Sequence, residues 1–134
     1  MIETEKPLHE AEKLRRRSKM FAYDVVRLVR TLPATEEARV IGRQLLRSGM
    51  SVAANYRAVS RSRSRAEFIS KIGTVIEETD ESLFWLEALS EMGISRGPKI
   101  ETLLTECAQL VSIFVASQRT GRRRASSPMS TASS

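Results

Sequence analysis

The sequence divides into four amphipathic segments, and the residues between them are ones that end or begin helices. In the first segment Phe21, Val25 and Leu28 recur at helical spacing and therefore share one face. Pro33 closes this segment, because the residue before a proline is disfavoured in the helical region of backbone space. The pattern predicts an all-helical chain.

Local signals set the limits of the other three segments. Thr35 is suited to cap the second helix, since its hydroxyl can accept from a free backbone N–H. Ser64 and Glu67 form a capping box ahead of the third helix, and Gly93 suits its C-terminal end. Pro98 stands where a fourth helix would begin. The predicted helices span residues 8–31, 35–59, 65–92 and 98–119.

Four helices of this length, joined by short loops, predict an antiparallel up-down-up-down four-helix bundle. A chain of 134 residues is long enough for one domain with its own core. Gly42 and Gly49 lie seven residues apart on one helical face, which predicts close approach to a neighbouring helix. The segment 121–134 is rich in Ser and Arg without periodicity, so we expect a disordered tail after a bundle domain of residues 1–120.

The inventory of reactive side chains argues against an enzyme. Cys107 is the only cysteine and His9 the only histidine, and His9 lies in the charged N-terminal stretch. The Glu-x-x-His pairs of a di-iron bundle are therefore missing, and we expect no catalytic residue, no metal and no cofactor. Cys107 is predicted to be a small core residue. A lone cysteine favours a reducing, cytoplasmic compartment, and the absence of a long apolar run predicts no membrane partner.

Positive charge is concentrated in one part of the sequence. The net charge is +6, and the segment from Ala38 to Ala66 contains seven arginines and no acidic residue. The guanidinium fork matches phosphate in geometry and charge, so these arginines are candidates for binding the backbone of RNA or DNA. The alternative is that acidic residues of the third helix, between Glu77 and Glu87, face them. The candidate nucleic-acid-binding residues are Arg39, Arg43, Arg47, Arg57, Arg61, Arg63 and Arg65.

A polar stripe accompanies the apolar face of the second helix. Gln44, Ser48, Ser51 and Asn55 follow one another at spacings of three and four. Because buried polar groups need partners, the stripe predicts a hydrogen-bonded seam between helices or between subunits, with a ligand pocket as the alternative. Trp85 lies beside the apolar stripe of the third helix, where a large aromatic side chain indicates a shared interface or completes the core.

These motifs together resemble a known family. The matching run comprises Leu32-Pro33, Ile41, Gln44-Leu45, Arg47-Ser48, Ser51-Val52, Asn55, Ser64 to Phe68 and Glu77 to Glu87. It resembles the bacterial four-helix bundle protein family, also named for proteins encoded in intervening sequences of 23S ribosomal RNA genes. The resemblance implies a left-handed bundle that assembles as a homopentamer. It also implies kinship with the accessory protein of diversity-generating retroelements, a basic pentamer thought to bind nucleic acid and its reverse transcriptase.

One short segment departs from the family pattern and makes this chain more basic. Many members follow the asparagine with a small residue, Glu and Gly, whereas Asn55 is followed here by Tyr56, Arg57 and Ala58. Two functions then stay open. The first is a non-enzymatic oligomer that binds nucleic-acid backbone through its arginines, largely without sequence preference because few aromatics can stack on bases. The second is a protein-interaction scaffold or accessory subunit without direct nucleic-acid binding.

Overall fold

The computed structural model describes residues 2–125, with side chains described from residue 10 to residue 124. Within that range there are four helices and no strand. Consecutive helices pack side by side, and the last returns to lie beside the first, which confirms the antiparallel up-down-up-down bundle. The helices are α1 (Ile2–Val29), α2 (Glu36–Val59), α3 (Arg65–Glu91) and α4 (Pro98–Ala125).

The predicted caps of α2 and α3 are present. The backbone N–H of Ala38 donates to Oγ1 of Thr35 at 3.2 Å, and that of Glu67 donates to Oγ of Ser64 at 3.0 Å. The carboxylate of Glu67 reaches one residue further back than a capping box requires, accepting from the backbone N–H of Arg63 at 2.5 Å. That bond, together with nearby Lys71, lowers the pKa of Glu67.

The turn between α3 and α4 follows the predicted glycine geometry. Gly93 has φ of 72°, the left-handed conformation that ends many helices, and Gly97 has φ of 111°. The backbone N–H of Ile94 donates to the carbonyl of Leu89 at 2.9 Å, which satisfies one of the last carbonyls of α3. Pro98 then begins α4, as predicted.

The ends of α1 and α4 differ from the prediction. α1 begins at Ile2 and ends at Val29, because short i→i+3 hydrogen bonds replace the helical pattern just before Pro33. α4 continues to Ala125 instead of ending at 119, so residues 121–125 are helical and the prediction of disorder was wrong for them. Arginine favours helix, and Gly121 packs against Phe68 of α3, which extends the bundle contact. Residues 126–134 of the predicted tail lie outside the described part of the chain.

The core is built from one apolar stripe of each helix. Gly42 and Gly49 bring α2 close to α1: a Cβ on Gly49 would lie 3.1 Å from Val25, and one on Gly42 would lie 3.2 Å from Leu32. This confirms the predicted close approach. The largest fully buried side chains are Phe21, Phe114, Leu28, Leu45, Ile72, Leu86, Leu89, Ile100 and Leu110.

α4 is long and apolar enough, by length and composition, to meet the criteria for a membrane-spanning helix. Its apolar stripe nevertheless lies in the bundle core, where Ile100, Leu110 and Phe114 are fully buried. Its other side carries exposed polar residues such as Glu101 and Gln109. This division into a buried stripe and a polar face is typical of a bundle helix.

Candidate nucleic-acid interface

The antiparallel order of the helices brings four sequence segments together at one end of the bundle. Ala11 of α1 lies beside Tyr56 near the end of α2 and beside the α2–α3 loop. The amide of Gln118 in α4 donates to the carbonyl of Ile69 in α3 at 3.2 Å. The end of α4 therefore lies against the start of α3, and the first half of α1 lies against the end of α2.

This end of the bundle holds most of the positive charge. We call the described residues 10–19, 53–74 and 112–124 the basic end; they include 14 Lys and Arg and only three Asp and Glu. The other described side chains, 20–52 and 75–111, include seven Lys and Arg and 11 Asp and Glu. Charge is thus separated along the bundle axis, which neither the net charge nor the sequence order reveals.

Four of the seven candidate arginines lie at the basic end. Arg57, Arg61, Arg63 and Arg65 are all exposed. Arg63 lies 4.0 Å from the carboxylate of Glu67, at the limit of an ion pair. Within the described part of the chain the other three have no ion-pair partner. The α3 carboxylates between Glu77 and Glu87 cannot reach them, because Glu77 lies 12 residues beyond Arg65, roughly 18 Å along the helix.

The predicted row of Arg39, Arg43 and Arg47 lies outside the basic end. Residues four apart drift by about 40° around a helix, so Arg47 faces α3 while Arg39 does not. Arg39 lies 3.9 Å from Glu36 on its own helix, and Arg43 is exposed without an ion-pair partner among the described residues. Sequence proximity had grouped residues that the fold separates.

Arg47 is a correction to the predicted site. Its guanidinium lies 3.3 Å from the carboxylate of Glu78 and also donates to Glu81. The indole N–H of Trp85 donates to the same Glu81 carboxylate at 3.2 Å. These bonds, the one from Arg47 first, lower the pKa of Glu81. The hypothesis that α3 carboxylates face the arginines is therefore right for Arg47, which ties α2 to α3.

α1 and α4 also contribute cations to the basic end, and these contributions were not predicted from the sequence. Arg15, Arg16 and Lys19 of α1 line one groove with Arg57 of α2. The last turn of α4 is basic as well, with exposed Arg122, Arg123 and Arg124. The up-down topology that the sequence predicts would have placed these residues together, since it joins the start of α1 to the end of α2 and the end of α4 to the start of α3.

Comparison with known proteins identifies the family. The model of the 23S rRNA-intervening sequence protein matches residues 10–116. The chain belongs to the 23S rRNA-intervening sequence protein family. A similar solved structure is that of a protein of unknown function from the S23 ribosomal protein family of Bacteroides thetaiotaomicron, with 27% identity and a TM-score of 0.74. The alignment covers 81% of this chain and 97% of that one. No curated protein matches the chain.

The family match ends before the last turns of α4. Arg119 and the three arginines that end the helix follow residue 116, so they lie beyond the part that the 23S rRNA-intervening sequence protein model covers. The other segments of the basic end, 10–19 and 53–74, lie within it. The match therefore includes most of the basic end and omits its α4 contribution.

Among the described residues, the polar stripe of α2 forms a hydrogen bond to another helix at one position only. Ser48 is fully buried and shares a hydrogen bond of 2.8 Å with Ser82 of α3. The amide of Asn55 donates to the carbonyl of Ser51 in its own helix at 2.8 Å, so the expected bond across the contact is not formed there. Gln44, like Ser51 and Asn55, is partly exposed on the side of α2 that turns toward α3.

Aromatic and apolar side chains are exposed on α3. Phe84 is 58% exposed and stacks edge-on against the half-buried Trp85, with ring centroids 4.9 Å apart. Met92, the residue that caps the end of α3, lies seven residues after Trp85, about 20° from it around the helix axis, and is 72% exposed. We call Phe84, Trp85 and Met92 the aromatic patch. Trp85 is partly buried against the core and so helps to complete it, which was one of its two predicted roles, whereas Phe84 and Met92 are exposed and available to another molecule.

The remaining reactive groups have structural surroundings. The thiol of Cys107 is fully buried and donates to the carbonyl of Thr79 at 3.3 Å, and burial raises its pKa to about 12. This confirms Cys107 as a core residue. No group of His, Cys, Asp or Glu among the described residues is placed to hold a metal ion. The groove between α1 and α4 is crossed by Arg17, whose Nε lies 2.7 Å from Glu106.

Proposed function

We propose that this member of the 23S rRNA-intervening sequence protein family is a non-enzymatic oligomer that binds the phosphate backbone of nucleic acid through its basic end. The observation that carries the proposal is the charge separation: among the described side chains, 14 cationic and three acidic ones lie at one end of the bundle. Arg57, Arg61 and Arg65 are exposed there without an ion-pair partner in the described part of the chain.

Like charges crowded on one surface repel, so an external anion lowers the free energy of this arrangement. A polyanion suits it best, because each bound phosphate releases counterions and because arginine can hold phosphate oxygens with two parallel bonds. Contacts of this kind carry no sequence information. We therefore expect binding that depends steeply on salt and weakly on sequence.

Assembly is the second part of the proposal. The aromatic patch lies on α3 away from the basic end, and an exposed Phe next to a half-buried Trp is typical of a protein interface. We infer that the patch forms the contact between subunits. The partly exposed Gln44, Ser51 and Asn55 of α2 are further candidates for that contact, although Asn55 lies within the basic end. A pentamer is the number that the family resemblance implies. Several basic ends on one assembly would turn modest contacts into useful avidity.

The test is fluorescence anisotropy of the purified protein with labelled single-stranded RNA and with duplex DNA, titrated over a range of salt concentrations. The wild-type protein should bind both, with an affinity that falls linearly on a log–log plot against salt. The triple variant Arg61→Ala, Arg63→Ala, Arg65→Ala removes three phosphate contacts from each bound subunit. Each phosphate neutralised contributes roughly 0.7–0.9 to the slope of log affinity against log salt concentration, so the magnitude of this slope should fall by roughly two to three units for each subunit in contact.

A matched control separates a site from bulk charge. The variant Arg30→Ala, Arg39→Ala, Arg43→Ala removes the same charge from exposed arginines at the opposite end of the bundle. It should retain most of the affinity and slope of the wild type. Equal losses in the two triple variants would mean that only net charge matters, and absence of binding at low salt would overturn the proposal.

A protein-interaction role is the second candidate, and the aromatic patch is the observation that favours it. If the patch docks a partner protein rather than another copy, Phe84→Ser should abolish capture of that partner and leave the subunit number unchanged. Size-exclusion chromatography with light scattering measures the subunit number directly. A change to smaller species in that variant supports the patch as the subunit contact.

A further inference from the structure

A groove between α1 and α2 opens beside the basic end and combines cations with an exposed aromatic ring. Its volume is about 530 Å³, and Arg15, Arg16 and Lys19 of α1 line it together with Arg57 of α2. Further along the same groove lie Tyr23 of α1 and Met50 of α2. The rest of the groove surface is mostly alanine, so no bulky side chain fills it.

Tyr23 is the unusual member of this set. Its side chain is 43% exposed, and neighbouring Met50 is 47% exposed, whereas most large apolar side chains of α1 and α2 are in the core. Within the described part of the chain the Tyr23 ring stacks on no other aromatic ring, and its hydroxyl has no hydrogen-bond partner. Covering an amphipathic ring in this state with a flat apolar surface lowers the free energy, because the face of the ring is removed from water.

The charges around Tyr23 favour an anion. Among the described side chains Glu12 is the only acidic one that lines the groove, and its carboxylate is already paired with Arg15. Arg16, Lys19 and Arg57 have no ion-pair partner among the described residues. A ligand of the groove should therefore carry negative charge next to a flat ring system, which is the chemistry of a nucleotide.

We propose that this groove binds a single-stranded segment of nucleic acid, with one base stacked on Tyr23 and the adjoining phosphates held by Arg16, Lys19 and Arg57. The inference rests on the proposed function and specifies its substrate. Stacking of bases on aromatic rings beside a basic track is how proteins hold single strands without reading their sequence. A duplex keeps its base faces inside the stack, so it can offer this groove only phosphates.

The test compares an unstructured single strand, such as oligouridylate or oligothymidylate, with a duplex of equal length. Tyr23→Ala should weaken single-strand binding by roughly five- to 150-fold, the range measured for loss of one stacked base. The salt dependence should stay unchanged, because no charge is removed. Tyr23→Phe keeps the ring and should bind the single strand like the wild type. Neither variant should change the affinity for the duplex.

A leucine variant and the comparison with the duplex distinguish loss of base stacking from misfolding and from a general loss of nucleic-acid binding. Tyr23→Leu preserves apolar bulk at an exposed site without a ring, so it should fold normally and still lose single-strand affinity. Wild-type affinity for the single strand in both Tyr23→Ala and Tyr23→Leu would overturn the inference while leaving the proposed function intact. Equal losses for single strand and duplex would also overturn it. Absence of binding to either nucleic acid by the wild type would instead overturn the proposed function.

Discussion

Replacing Gly49 by alanine tests how closely α1 and α2 approach. A Cβ on Gly49 would lie 3.1 Å from Cγ1 of Val25, 3.2 Å from its Cγ2 and 3.3 Å from its Cβ. Val25 is completely buried, and its β-branched side chain has one strongly preferred rotamer in a helix. All three close contacts therefore come from one side chain that cannot rotate away, and the backbone of one helix has to shift.

Two opposing effects set the magnitude. Alanine is favoured over glycine in a helix interior by about 1 kcal/mol, whereas an extra methyl group in a packed core costs about 1–3 kcal/mol. We expect Gly49→Ala to lower the free energy of unfolding by about 1 kcal/mol. Gly73 is the matched control, because the nearest atom to its Cβ is the flexible side-chain amide of Gln118 at 3.1 Å. Gly73→Ala should be neutral or more stable by up to about 1 kcal/mol.

Urea unfolding followed by circular dichroism measures both variants. Protein concentration has to be equal in all samples, because the stability of an oligomer depends on it. In a Val25→Ala background the cost of the substitution at Gly49 should become smaller, because the contacts with Cγ1 and Cγ2 at 3.1 and 3.2 Å are removed and only the Cβ contact at 3.3 Å remains. The reasoning is refuted if Gly49→Ala is at least as stable as Gly73→Ala, or if Val25→Ala leaves its cost unchanged.

Substitutions at three further positions test individual contacts. Burial raises the pKa of Cys107 from 9.0 to about 12, so its contribution to stability is full below pH 9 and lost as pH rises toward 12. From pH 8 to pH 10 the wild type should lose about 1.4 kcal/mol more than Cys107→Ala, and equal urea-unfolding profiles would contradict this. Arg47→Ala should lower the urea midpoint slightly at neutral pH, and by less as pH falls through the lowered pKa of Glu81, because protonation of that carboxylate removes the ion pair. Arg47→Ala should leave nucleic-acid affinity unchanged in anisotropy titrations. A loss of affinity would show that Arg47 contributes to nucleic-acid binding after all. Ser64→Ala should cost about 1 kcal/mol and Ser64→Asp little, and an unchanged thermal midpoint for Ser64→Ala would show that the cap is dispensable.

The helix limits that the sequence predicted well are those with a local cause. Thr35 and Ser64 supply hydroxyls to nearby backbone N–H groups, and Gly93 adopts a positive φ, so three or four consecutive residues decide each limit. The end of α4 has no such local cause. Gly121 suggests an end by itself, yet it lies in the helix because its missing side chain leaves room for Phe68 of α3. A contact between residues far apart in sequence decided that limit.

The candidate site was harder to predict for the same physical reason. The sequence grouped Arg47 with Arg43 because they are neighbours along α2, but the carboxylates of Glu78 and Glu81 engage Arg47 from α3. The groove of Arg57 depends on cations more than 35 residues away in α1. Spacing along one helix gives the face of a residue, whereas the partner on that face depends on how neighbouring helices are aligned.

Separation of charge along the bundle also bears on which assembly would suit a polyanion. A ring generated by rotation about an axis parallel to the helices keeps every basic end on one side, so the fields of the subunits add. A dimer whose two-fold axis is perpendicular to the helices would place its two basic ends on opposite sides, so their electrostatic fields would not add. The aromatic patch is on the side of the bundle, where the proposed contact between parallel copies would be lateral. A cyclic assembly through the patch, such as the pentamer that the family resemblance implies, therefore leaves all basic ends and α1–α2 grooves facing the same strand. The same argument explains why sequence-independent contacts would suffice: each copy needs to hold only a few phosphates when its neighbours hold the next ones.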